Sequence, residues 1–89
     1  MTDNQKMLKE FESELFSEGE IENMKTDILV ETKDISFESW LAKLCSRFAF
    51  THNYRVTVLI PAIYRNKKFE SKLRSEFEEL KEIVAEDED

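Results

Sequence analysis

Tyr54-Arg55-Val56-Thr57-Val58-Leu59-Ile60 is the stretch whose reading decides the fold. Two periods run through it. Tyr54, Val56, Val58 and Ile60 alternate as one face of a strand would, and the run is rich in the β-branched residues that suit a pleated surface. Phe48, His52, Val56, Leu59 and Ile63 instead step by three or four, which carries helical spacing across the same residues. A strand must find backbone partners, and only residues 27–32, with Ile28-Leu29-Val30 at their centre, offer a second one. The helical reading is therefore preferred, with Pro61 kinking the helix because it removes an amide donor and crowds the preceding turn. One Gly and one Pro in 89 residues are few turn-formers for a sheet-rich chain,. The expected fold is all-α, mainly helical: a short helical hairpin, a long central helix kinked at Pro61, and a C-terminal amphipathic helix. The alternative is α+β with a strand at 54–60.

Working outward, Thr2 and Gln5 have the spacing of a capping box, and Met7, Phe11, Leu15 and Phe16 mark a first helix over residues 3–17. Gly19 can take the left-handed geometry that ends helices, and Glu20 and Glu22 suit the start of the next. That second helix should cover residues 20–31, with Ile21, Met24, Ile28 and Leu29 inward. Asp34-Ile35-Ser36 reads as a turn, with Ser36 capping the helix whose apolar stripe is Trp40, Leu41, Leu44 and Phe48, with Cys45 beside it. Phe69, Leu73, Phe77, Leu80 and Val84 give the last helix one apolar face. Residues 1–85 form a single helical domain, and the acidic run at 86–89 is expected to be a disordered tail.

A chain of 89 residues buries only about 60–65% of its unfolded surface, so it is marginal on its own,. The single Cys45 excludes an internal disulfide, and one His with one Cys cannot supply the usual four zinc ligands,. No metal is expected, and homo-oligomerisation becomes the expected support. No run approaches the ~20 apolar residues that span a bilayer, the first fifteen residues are charged, and no secretory signal is visible. With the lone thiol, these features place the chain in a cytoplasm and away from membranes.

The net charge of −7 is unevenly spread. Residues 1–40 hold eleven acids against four bases, and residues 76–89 hold eight acids against one base. Lys43 and Arg47 lie between, and residues 51–75 carry six bases against Glu70 alone. An acidic chain with a cationic middle is a more specific object than a uniformly acidic one.

Catalysis needs convergent groups, and the sequence offers few. His52 is the one imidazole. Cys45 stands seven residues before it on the same helix, about 10 Å away, too far for a thiol–imidazole pair. The carboxylates are scattered, and no glycine-rich loop is present to cradle phosphates. An enzyme is not expected, nor a cofactor. What remains is recognition: Tyr64-Arg65-Asn66-Lys67-Lys68-Phe69 interleaves cations that hold phosphate with rings that stack on bases.

The run Phe11…Leu15-Phe16-Ser17-Glu18…Glu20-Ile21…Met24-Lys25 resembles the opening of the phage anti-CBASS cyclic-oligonucleotide sponges. Trp40-Leu41-Ala42 is similar to the start of their long central helix, and Ala62-Ile63-Tyr64-Arg65…Phe69 to its far end. About 60 residues take part. The resemblance implies a helical homo-oligomer, a hexamer in the known type, that sequesters cyclic nucleotides of bacterial antiviral signalling. It implies Phe11 as the ring that stacks on a base, with Lys25 and Arg65 gripping phosphates. The family's more usual aromatic is Tyr, and Pro61 and the acidic extension after Phe69 depart from its pattern, so Lys67 or Lys68 can stand in for Arg65.

The expected function is sequestration of a cyclic dinucleotide such as cyclic GMP-AMP, or a cyclic trinucleotide, through Phe11, Lys25, Arg65, Lys67 and Lys68. The alternative is a small acidic inhibitor that mimics nucleic acid and blocks a host enzyme by protein–protein contact. The cationic segment 51–75 argues against the mimic, which would not need it.

Overall fold

The computed structural model describes residues 3–16 and 20–86, with Glu20 described by its backbone alone. The Thr2 cap, the Gly19 helix stop and residues 87–89 of the tail lie outside the described residues. Five helices follow in order: α1 (Asp3–Phe16), α2 (Glu20–Glu31), α3 (Phe37–His52), α4 (Val56–Arg65) and α5 (Lys67–Glu86). The fold is all-α, and the described residues contain no strand. Glu86, placed by the sequence in the tail, is the last residue of α5.

Residues 56–65 became helix because their burial follows the longer period. Leu59, Ala62 and Ile63 are buried, whereas Val58, which the strand pattern would have grouped with Val56 and Ile60, is 43% exposed. The long central helix, however, is two helices. The chain breaks at Asn53, not at Pro61. Asn53 takes φ 61°, and its amide and that of Tyr54 both donate to the Ala49 carbonyl. Asn tolerates this left-handed geometry because its short polar side chain can bond locally, so it can close a helix as Gly does. Pro61 sits inside α4 without ending it. The carbonyl it leaves without a donor, four residues back, belongs to exposed Thr57 and can face water,.

The other boundaries follow side-chain caps. Ser36 Oγ accepts the Ser39 amide at 3.2 Å and starts α3,. Asn66 alone separates α4 from α5: its amide donates to Ala62 and Ile63 carbonyls, and its Oδ1 accepts the Phe69 amide at 3.1 Å.

The hairpin expected of the first two helices is also rearranged. Glu12 on α1 meets Lys72 on α5, and further along Lys25 on α2 meets Glu76, with Leu29 and Lys33 beside Lys81, Val84 and Ala85. Thus α1 and α2 advance in the same direction along successive halves of α5. The fold-back pair is α2 with α3, joined through residues 32–36. Between these layers lies one apolar core: Phe11 packs on Phe48 at 5.0 Å and on Phe69 at 6.1 Å, while Trp40 packs on Phe77 at 5.1 Å.

Candidate functional site

Within one copy of the chain, the residues singled out in the sequence divide between the core and the surface. Phe11 is 0% exposed, enclosed by Phe48 and Phe69, so a base can reach its ring only if the core opens. Burying such a ring stabilises the fold by about 1.5–3 kcal/mol, which places Phe11 on the packing side of the ledger. Lys25 is 6% exposed. Its Nζ lies 3.4 Å from Glu76 Oε1 and 4.7 Å from the centre of the Phe16 ring, so its charge is already answered by a carboxylate and an aromatic face,. Its backbone carbonyl also accepts the Trp40 indole N–H at 3.0 Å, which ties α2 to α3.

Arg65, Lys67 and Lys68 are exposed at the corner where α4 meets α5. Arg65 lines a shallow hollow of about 370 Å³ with Asn4, Gln5, Leu8 and Ala62, and Lys67 reaches Glu70 at 3.5 Å. The cations predicted there are accessible; of the two rings in that motif, Phe69 is buried and Tyr64 is half-buried against the core.

An exposed ring with cations occurs elsewhere. The groove between α2 and α3 has a volume of about 510 Å³ and is lined by Met24, Ile28, Glu31, Thr32, Ala42, Lys43, Ser46, Arg47 and Phe50. Phe50 is 83% exposed. On α3 the positions 43, 47 and 50 stand at i, i+4 and i+7, one stripe of the helix, roughly a quarter-turn around from the buried stripe of Trp40, Leu44 and Phe48,. Met24, Ile28, Ala42 and Phe50 give the lining its apolar part, Ser46 and Thr32 supply hydroxyls, and Glu31 is the one acid. The lining is mixed, with apolar surface for a ring and polar groups able to fix an orientation. The sequence signal was present but overlooked. Once Ser36 sets the helical register, Phe50 is the aromatic that falls off the apolar stripe of α3.

Other polar groups serve the structure. The Tyr54 hydroxyl donates to Glu10 Oε2 at 2.9 Å, and this bond to a carboxylate, with burial, pushes the phenol above its ordinary value. His52 stacks on Phe48 at 4.2 Å, with Nδ1 3.1 Å from the Phe48 carbonyl and Nε2 3.3 Å from Glu14. Cys45 is fully buried, and burial pushes its thiol up to about 12, far from the range of a reactive thiolate,. Among the described residues no three His, Cys, Asp or Glu side chains are grouped to hold a metal. No described helix is long and apolar enough to cross a membrane. No family model, curated protein or solved structure matches the chain.

Proposed function

We propose that this chain is a non-catalytic binding protein that sequesters an anionic, planar ligand of the cyclic di- or trinucleotide class, with the α2–α3 groove as its site. The observation that carries the reading is the stripe Lys43, Arg47 and Phe50 beside a groove of about 510 Å³. The exposed ring stacks on a base; the ammonium and guanidinium meet phosphate; Ser46 and Thr32 donate to ribose or phosphate oxygens. Each stack contributes about 1–3 kcal/mol and each charge-assisted bond about 1.5–3 kcal/mol. In this reading Phe11 and Lys25 give up the roles implied by the resemblance and hold the scaffold. Arg65, Lys67 and Lys68 act at most as a second, remote cationic surface.

Isothermal titration with cyclic GMP-AMP and with a cyclic trinucleotide tests it. Heat with wild type, and a Kd about 5- to 150-fold weaker for Phe50→Ala, support the assignment. Silence with every cyclic nucleotide removes it.

A second reading has its own support. Phe50, though it lines the groove, is 83% exposed, with Arg47 and Met24 in the same lining. Aromatic, Arg and Met residues of this kind anchor protein–protein contacts. In an acidic chain this suits an inhibitor that seats Phe50 in a pocket on a host enzyme. A host protein retained in stoichiometric amount by wild type and lost with Phe50→Ala would favour that reading.

A further inference from the structure

The α2–α3 groove leaves one surface of the molecule unexplained: the outer face of α4. From residue 56 to residue 64 the sequence carries no charge, in a chain that is 37% charged. Leu59, Ala62 and Ile63 face the core, while Thr57, Val58 and Pro61 are exposed. Charge returns at the two ends of this face. Arg55, the N-cap, stands three residues before Val58, and Arg65, the last residue of α4, stands four after Pro61. Val58, Pro61 and Arg65 share one strip of α4, and Arg55, exposed at the N-cap about 60° around the helix from Val58, adds a cation at the other end, about 15 Å from Arg65,.

The distal half of α5 carries the reverse pattern. Ile83 is 52% exposed, and Glu79, Glu82 and Glu86 are exposed around it. Glu79, Ile83 and Glu86 stand at i, i+4 and i+7, an acid–apolar–acid stripe about 10 Å long. The side chains of Arg and Glu are long enough to absorb the remaining difference in length. Within one molecule Glu79 lies thirteen residues beyond Asn66, about 20 Å along a straight helix from the end of α4,.

We infer that the α4 face docks the distal half of α5 from a second copy of the chain, with Ile83 seated between Val58 and Pro61 and glutamates of α5 meeting Arg55 and Arg65. The occupant is argued from charge. Two bodies of net charge −7 repel wherever acid faces acid,. The Arg-flanked neutral face of α4 against the Glu-flanked Ile83 is a juxtaposition in which both apolar burial and charge favour contact. Because two different surfaces meet, the contact is head-to-tail, and each added copy leaves one free α4 face and one free α5 face until a ring closes.

Sedimentation velocity on the full chain tests this with two exposed-site variants, Val58→Asp and Ile83→Glu, each checked for wild-type helicity by circular dichroism. Wild type is expected to assemble beyond a dimer, and the assembly to weaken as salt rises. Each variant alone is expected to sediment as a monomer. Mixed together, they are expected to form a dimer and stop there, because Val58→Asp still offers an intact α5 face and Ile83→Glu an intact α4 face. A wild type that stays monomeric, variants that assemble as wild type does, or a mixture that fails to pair would each overturn the inference. A pairing of α4 with α4 would show itself as Ile83→Glu assembling normally.

Discussion

Two phenylalanines mark two regions that use the same side chain for opposite ends. Phe11 on α1 is fully enclosed, stacked on Phe69 and tilted against Phe48. Phe50 on α3 is 83% exposed, at the edge of the α2–α3 groove with Lys43 and Arg47 along the same stripe. The first sits on the apolar period of its helix and the second falls off that of its own. What separates the buried ring from the exposed one is thus register within a helix, not residue type or the charges nearby in sequence.

The largest effect that could break this comparison is on stability. Phe11→Ala should cost about 3–5 kcal/mol, a large part of the stability of a domain this size. Phe50→Ala should change it by no more than about 0.5 kcal/mol, as surface substitutions do. Urea denaturation followed by circular dichroism measures both; equal losses would erase the distinction.

Lys25 sharpens the same contrast from the cation side. Its ammonium pairs with Glu76 in a largely buried setting, where desolvation offsets most of the attraction,. Lys25→Met keeps the stem against Phe16 and is expected to leave stability within about 1–2 kcal/mol of wild type. It should also leave the affinity for cyclic GMP-AMP unchanged. A selective loss of ligand binding in Lys25→Met would return Lys25 to the site.

Cys45 reports the integrity of the core between the two regions. In the folded protein a thiol reagent should fail to label it at neutral pH, and labelling should appear only with global unfolding. The sign of its pH dependence follows from the raised value. The folded state holds the thiol proton more tightly, so this contribution is full below about 9 and is lost as pH rises toward about 12,. Rapid labelling of native protein would show that the interior opens locally.

The smallest expected effect concerns Glu70, near the start of α5. A hydrogen bond from Arg74, with help from Lys67, holds its carboxyl below the ordinary value. A depressed folded value gives a contribution present above the usual carboxylate range and lost as pH falls through the folded value. Both partners of Glu70 are solvent-exposed and screened, so the contribution is small, and Glu70→Gln should remove only a slight acid dependence of the thermal midpoint,.

Much of the fold was legible because burial enforces it. The Ser36 cap, the stripe of Trp40, Leu41, Leu44 and Phe48, and the stripe of Phe69, Leu73 and Phe77 all appear where their spacing put them. The choice between strand and helix at 54–60 also came out on the helical side. The break at Asn53 was missed because left-handed geometry is a weak local preference of Asn that continuing apolar spacing masks, whereas Pro61 sits inside α4 without ending it. The direction in which α1 and α2 run along α5 was beyond periodicity, which fixes faces and not partners. For the site, the sequence announced the cations at 65–68 and these are accessible. Phe11 and Lys25 went the other way because a residue's chemistry does not say which side of a helix faces the core.

The most direct test of the central claim is an amide proton–nitrogen NMR titration of the wild-type chain with cyclic GMP-AMP. The account predicts shifts concentrated at Lys43, Ser46, Arg47 and Phe50 and at Met24 to Thr32 across the groove, with Phe11 and its neighbours undisturbed. Shifts centred on Phe11, Lys25 and Arg65, or a spectrum that does not change at all, would contradict it.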